Sequence, residues 1–288
     1  MNKRIRLFDI VNVLLMGIVV CSMLFPFIHM AAVSISSSEY VLKNEITLWP
    51  KGIKFDTYTA VLRDKRILVG YKNTIIYVVL GTTLSLIFTT MGAYALSRKN
   101  LVFGKTFMLM IVFTMLFNGG MIPTYLVIRS YGLLNTIWAM VLPGLVSSYY
   151  LIIMRTFFQG IPRELEESGR IDGLSNFGIL LRIVLPLTKP VMMTISLFYA
   201  VAIWGNFFSA LLYLRDPNLF PLQVAVRNIV LIGQVEENTV SSAIGNKALV
   251  LESLKYTVIL VSTLPILMVY PFIQKHFVKG AMIGSVKG

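Results

Sequence analysis

Charge is scarce in this chain. Only 14% of its 288 residues are Asp, Glu, Lys or Arg, against about 25% in a soluble domain. Hydrophobic residues make up 56%, so the solvent of this chain is mostly lipid. Cys21 is the single cysteine, which excludes an intrachain disulfide and says little about redox compartment. His29 and His276 are the only histidines, and no metal-ligand set or nucleophile–base pair accompanies them. Neither a metal site nor a catalytic residue is assigned. The net charge of +13 raises the question of nucleic acid. No basic stripe with interleaved aromatics is present, so membrane orientation and anionic lipid headgroups account for the charge better. Internal repeats and low-complexity tracts are missing too.

The few charges are also segregated. Uncharged runs cover 10–38, 73–97, 106–128, 130–154, 190–214 and 256–274, each 19 to 29 residues long. A bilayer core about 30 Å thick needs roughly 20 residues of helix, so each run can span once. An ionised side chain at a helix centre costs about 2.5–3.5 kcal/mol, which explains why all 39 lie between the runs. The reading is an all-α, polytopic membrane protein over 1–288, with spans near 10–33, 73–97, 106–128, 130–154, 190–214 and 256–274. Lys3, Arg4 and Arg6 precede the first run, which places the N-terminus in the cytoplasm. An even number of spans returns the C-terminus there. The run from Ile10 is too long for the apolar core of a cleaved signal peptide, so the first helix is read as retained.

Breakers and loops punctuate this plan. Residues 39–72 read as a turn-rich outside loop followed by an amphipathic helix at 56–64, with Trp49, Tyr58 and Tyr71 suited to an interfacial aromatic belt. Asn118-Gly119-Gly120 and Pro123 should break the third span. An equally good reading makes 118–128 an outside loop with a small re-entrant piece. Pro143-Gly144 should kink the fourth span. Trp204-Gly205-Asn206 should kink the fifth, and Pro265 and Pro271 the sixth. Residues 215–255 are expected to form an outside lobe.

The segment from Arg163 to Pro190, RELEESGRIDGLSNFGILLRIVLPLTKP, is polar and helix-forming between two apolar runs. Pro162 suits the first turn of a helix. Glu164, Glu166 and Glu167 follow where the helix dipole favours carboxylates. Asp172-Gly173 should stop that helix, with Gly173 free to turn left-handed. Ser175 can cap a second helix, whose apolar side is Phe177, Leu180, Leu181 and Val184 and which Pro186 should end. Phe177 and Leu180 have no local core, so they must pack on the spans or on a partner.

Within this segment Glu167-Ser168-Gly169 is followed by three residues, Gly173, nine residues and Ile183-Val184-Leu185-Pro186. That spacing resembles the cytoplasmic coupling loop, 160–190 here, between the fourth and fifth spans of permeases in maltose-type, carbohydrate ABC importers. Asn135-Thr136, Trp204-x-Asn206-x-Phe208 and the tail from Val278 to Gly288 resemble the same family, and its oligosaccharide branch most. One departure is Ser168-Gly169, where the pattern has two alanines. The resemblance implies a transport subunit rather than an enzyme, in the bacterial cytoplasmic membrane. It implies a second six-span permease, two cytoplasmic ATP-binding subunits that use ATP and Mg²⁺, and an extracellular solute-binding protein or lipoprotein delivering a sugar. Glu164, Glu167, Ser168, Gly169, Asp172, Gly173, Phe177 and Pro186 would form the ATPase-docking surface, with Glu167 as the motif glutamate.

The ATPase must be a separate chain. Gly173-x4-Gly178 is followed by Ile179-Leu180, where a phosphate loop needs Lys and Ser or Thr. Asn118, Tyr199, Trp204 and Asn206 are candidate pathway-lining groups, weighed against plain helix–helix packing. The competing functional reading is a secondary transporter or channel that works without ATP. The absence of ionised residues in the runs argues against ion coupling.

Overall fold

The structure is a computed structural model, and it describes residues 7–239 and 253–269. The basic residues at the extreme N-terminus, residues 240–252 of the expected outside lobe, the far end of the sixth run and the tail from Val278 lie outside the described residues. Every regular element among the described residues is helical. In chain order these are α1 Leu7–Ser34, α2 Ser38–Leu42, α3 Asp56–Arg63, α4 Lys65–Ser97, α5 Gly104–Leu116, α6 Met121–Ser130, α7 Trp138–Val141 and α8 Ser148–Gln159. Then come α9 Arg163–Ile171, α10 Asn176–Ile179, α11 Leu185–Leu187, α12 Lys189–Trp204, α13 Phe208–Tyr213 and α14 Leu222–Thr239. A last helix, α15, is Ser253–Val269.

Among the described residues two helices, α1 and α4, are each long and apolar enough to cross a membrane alone. Two bent pairs pass the same test together. The first run matches α1. The second begins earlier than its uncharged stretch, because Asp64 caps α4 by accepting the Arg66 backbone N–H at 2.8 Å. The third run is broken where expected: α5 and α6 meet at 113° across Phe117–Gly120, with Gly120 at φ 88°. A broken span and a re-entrant loop share this geometry.

Two expectations need correction. Residues 130–154 do not form one kinked helix. The chain is irregular after α6, with Gly132 and Asn135 at positive φ. It makes the single turn α7, opens again through Pro143-Gly144 and resumes as α8. Proline lacks the N–H and glycine raises the entropy cost, so together they end a helix rather than bend it. Likewise 190–214 is not continuous: α12 stops at Trp204, and α13 begins only at Phe208. The amphipathic helix forms as α3, and the segment after Arg215 carries α14.

The chain divides into two compact units, Met1–Leu68 with Ala225–Leu264 and Val69–Val224 with Pro265–Gly288. The first is centred on Ala32, Val33, Val41 and Ile46, with Tyr256 against them. A hydroxyl cluster joins its elements. Tyr58 pairs with Ser34 at 2.8 Å, and Thr257 pairs with Thr57 at 3.2 Å.

In the second unit, α4 holds the chain before α14 through side chains. Asn73 donates to the carbonyls of Asn218 at 2.7 Å and Phe220 at 3.0 Å. Tyr77 donates to the Leu219 carbonyl at 2.6 Å, and Thr74 accepts the Leu222 N–H at 2.8 Å. Gly70 has no room for a side chain, since a Cβ there would lie 2.8 Å from the Leu222 Cα.

Asn135 makes a comparable latch. Its N–H donates to the Tyr213 carbonyl at 2.8 Å. Its Oδ1 accepts the N–H groups of Arg215 at 2.9 Å and Asp216 at 2.8 Å. Asn is among the few non-glycine residues that tolerate φ 60°. Asn135→Ala therefore loses both the acceptor and the conformational preference, and should cost about 1–3 kcal/mol. Asn135→Asp keeps both and should retain most of the stability. Thermal unfolding of the two purified variants in detergent checks this; equal midpoints for Ala and Asp would refute the latch.

Candidate coupling loop and its surroundings

The loop after α8 is built by local rules. Pro162, at φ −56° and ψ 134°, is the N-cap of α9 rather than its first helical residue. Glu164 and Glu166 occupy the first turn and Arg170 the last, the distribution that the helix dipole favours. The helix closes with a paired motif: Gly173 N–H bonds the Arg170 carbonyl at 3.0 Å and Leu174 N–H the Gly169 carbonyl at 2.9 Å. That motif needs a left-handed residue after the cap, and Gly173 supplies it at φ 79°. Ser175 caps the second helix by accepting the Gly178 N–H at 3.2 Å.

The second helix departs from expectation at Pro186. It continues from α10 through a π-turn at Leu180–Val184 into α11, and stops only after Leu187. Proline withholds the N–H that the fourth preceding carbonyl would use. The wider π-turn re-registers the chain just before it, and Pro186 falls at the start of α11. The change of direction comes at Thr188, after which α12 leaves at 85°.

Burial decides what this loop can do mechanically. Ile179, Leu180 and Val184 belong to the same buried cluster as Tyr94 of α4, Met154 and Phe158 of α8, and Ile195 of α12. Leu180 therefore packs on the apolar helices, as its isolation in sequence demanded. Phe177 stays 60% exposed and Ile171 87% exposed. Glu164, Glu167, Ser168, Asp172, Gly173 and Pro186 are exposed as well. Gly169 is buried, and a Cβ added to it would lie 2.6 Å from Ile183 Cδ1 and 3.5 Å from Ile179 Cγ1. The small residue lets α9 lie against the second helix.

Sequence reasoning missed the polar clamp. Glu166, grouped there with exposed acids, is taken in by an ion pair with Arg98 just beyond α4. The Arg98 guanidinium lies 3.8 Å from the Tyr94 ring centre. Tyr94 in turn donates to the Asn176 carbonyl at 2.9 Å, and Arg155 Nε donates to the Leu96 carbonyl at 2.9 Å. Burial lowers the Arg98 pKa from its ordinary value; Arg170 pushes the same way and Tyr94 opposes it. No local pattern announces a pair 68 positions apart.

The four candidate pathway residues have separate surroundings. Asn118 is exposed, and its Oδ1 accepts the Gly120 N–H at 2.9 Å. Asn206 accepts the N–H of Ser209, in the first turn of α13, at 3.2 Å. Tyr199 is buried; its hydroxyl pairs with Thr89 at 2.7 Å and accepts the Ser147 N–H at 2.9 Å. Trp204 lies edge-on to Tyr71, and its buried Nε1 has no hydrogen-bond partner.

Residues 105–282 match the family described as binding-protein-dependent transport system inner membrane component. The chain is 43% identical over 285 residues to the polygalacturonan/rhamnogalacturonan transport system permease protein YtcP of Bacillus subtilis, covering 98% of this chain and 99% of that protein. It is 28% identical over 273 residues to the arabinooligosaccharides transport system permease protein AraQ of Bacillus subtilis, covering 92% and 91%. A chain of a bacterial ABC transporter involved in the import of the acidic polysaccharide alginate superposes with a TM-score of 0.87 at 35% identity, covering 96% of this chain and 99% of that one.

The packing at Gly169 separates two substitutions. Gly169→Ala clashes only with the flexible end of Ile183 and gains up to about 1 kcal/mol of helix propensity, so it should be close to neutral. Gly169→Leu should cost about 1–3 kcal/mol by overpacking. Gly173→Val should cost at least about 1–2 kcal/mol, because a branched residue resists the left-handed turn. Chemical denaturation in detergent ranks the three; a Leu variant as stable as the Ala variant would remove the packing argument.

Proposed function

The chain belongs to the family of binding-protein-dependent transport system inner membrane components, and from that premise we propose how it works. It is a permease subunit of an ATP-driven ABC importer that carries an oligosaccharide. It is a multi-pass protein of the bacterial cytoplasmic membrane, with six spans and both termini inside. It forms half of the translocation pathway, and a second six-span permease supplies the other half.

The observation that carries this reading is the continuity between the exposed loop and the buried core. Ile179, Leu180 and Val184 are shared by the loop and the apolar helices, while Glu164, Glu167 and Phe177 face outward. A surface so mounted cannot move without moving α4, α8 and α12. Two ATPase subunits that bind ATP and Mg²⁺ close on each other and carry the loop with them. The helices then pass from an inward-open to an outward-open state, the differential contact that a two-state switch requires. An extracellular binding protein releases its sugar into the opened cavity. This chain performs no hydrolysis. The sugar class rests on relatives named for polygalacturonan, rhamnogalacturonan and arabinooligosaccharides. Of the pathway candidates, Trp204 brings a ring and an unspent donor, the chemistry for stacking on a sugar and bonding a hydroxyl. Asn118 and Asn206 present amides beside breaks in the helices.

Glu167→Arg is expected to leave the chain folded while weakening ATPase docking by about 2 kcal/mol or more, over tenfold in affinity, because a contacting charge is reversed. ATPase stoichiometry and sugar uptake of the purified complex measure this; wild-type values for both would remove Glu167 from the contact. A mild-detergent pull-down from native membranes, with mass spectrometry, tests the whole assembly. Recovery of an ATPase, a second permease and a sugar-binding protein is expected. This chain recovered alone, in a preparation that still moves solute, would favour an ATP-independent transporter.

A further inference from the structure

Where the coupling loop meets the end of α4, a cleft of about 750 Å³ is bordered by the ends of α4 and α8, the turn after α4, and α9 itself. Four cations line it: Arg98, Lys99, Arg163 and Arg170. Glu166 and Glu167 are its only carboxylates, so the lining carries excess positive charge. Glu166 is already spent on Arg98. Arg98 is held against Tyr94, and its buried Nε has no hydrogen-bond partner. Lys99, Arg163 and Arg170 take part in none of the ion pairs among the described residues. Clustered cations with a buried, unspent N–H form a poor resting arrangement and a good anion site.

We propose that this cleft binds a phosphate-class anion, held between Arg98 at its base and Lys99, Arg163 and Arg170 at its rim. The surroundings favour the headgroup of an anionic phospholipid over free phosphate as the source. Val102 and Phe103 adjoin the Leu101 edge of the cleft and are 70% and 73% exposed, with Phe103 presented from a left-handed position at φ 58°. An apolar pair beside a basic cleft, at the ends of apolar helices, is the composition of a surface at the boundary of headgroups and acyl chains. The bound anion would neutralise the charge around the Arg98–Glu166 clamp and so stiffen the attachment of α9 to α4. Because α9 and Glu167 also belong to the proposed ATPase-docking surface, the inference rests on that reading in one respect: it concerns the permease before the ATPase docks.

The test uses the full-length chain purified in mild detergent, with lipid retention followed by native mass spectrometry. Phosphatidylglycerol is titrated against phosphatidylcholine, for the wild type and the Lys99→Gln/Arg163→Gln variant. Both side chains are exposed, and unchanged melting temperatures verify folding, with Lys99→Gln alone as a milder variant. Each lost cation near a surface weakens anion binding about fivefold, so the double variant should lose tenfold or more for phosphatidylglycerol. Arg182→Gln removes an exposed charge of the same loop that does not line the cleft, and it should retain wild-type binding. Inorganic phosphate separates the sources: displacement of the lipid means that free phosphate shares the site, and retention means that the headgroup is the ligand. Equal binding of the two lipids by the wild type overturns the proposal. So does a double variant that binds like the wild type, or an Arg182→Gln variant that loses as much.

Discussion

The structure depends on one packing constraint, the burial of Ile179, Leu180 and Val184 among the side chains of α4, α8 and α12. Fully burying an aliphatic side chain contributes about 1.5–3 kcal/mol, so three of them hold the second loop helix firmly. Much else follows from that anchorage. The Gly169 site lets α9 lie against the anchored helix. The closing motif at Gly173 then sets the angle at which α9 leaves it. The ion pair from Glu166 to Arg98 closes the loop back onto the end of α4. The second helix of the loop is thus an extension of the core.

A second constraint shapes the apolar helices. Backbone left without a partner at membrane depth is tolerated only where something else satisfies it. This chain breaks its helices repeatedly, and most breaks are met by a polar side chain. Asn118 serves Gly120, and Tyr199 serves Ser147. Asn206 serves Ser209, Asn135 serves Arg215 and Asp216, and Thr74 serves Leu222. Several of these groups drew attention in sequence as polar residues where lipid was expected. In the structure the same scarcity has a mechanical account, because a broken span needs donors and acceptors of its own.

The all-helical class, the course of α1, the break between α5 and α6 and the amphipathic α3 were all legible in the chain. Each follows from short-range rules: uncharged length, glycine and proline, and the spacing of apolar residues. So was the architecture of the loop, from the Ser175 cap to the left-handed Gly173. The illegible parts share a cause. Pro143-Gly144 and Gly205 were read as kinks, but whether a weakened turn bends or opens depends on the partners waiting for the freed backbone. Pro186 was read as a stop, yet the π-turn before it absorbs the missing N–H. Glu166 could not be separated from its neighbours Glu164 and Glu167, because its partner belongs to a different helix.

By itself the sequence determined where lipid-compatible runs lie, since charge burial is too costly to misplace, and where the loop must turn, since only glycine takes that conformation without strain. It also carried the spaced motif that marks the family. The tertiary structure alone decided which loop residues are buried and which face outward, since that depends on α4, α8 and α12 converging on one side of the second helix. It likewise decided that Arg98, Lys99, Arg163 and Arg170 meet around one cleft. Like charges brought together from distant positions leave no trace in local spacing, and only the packed helices create the field they share.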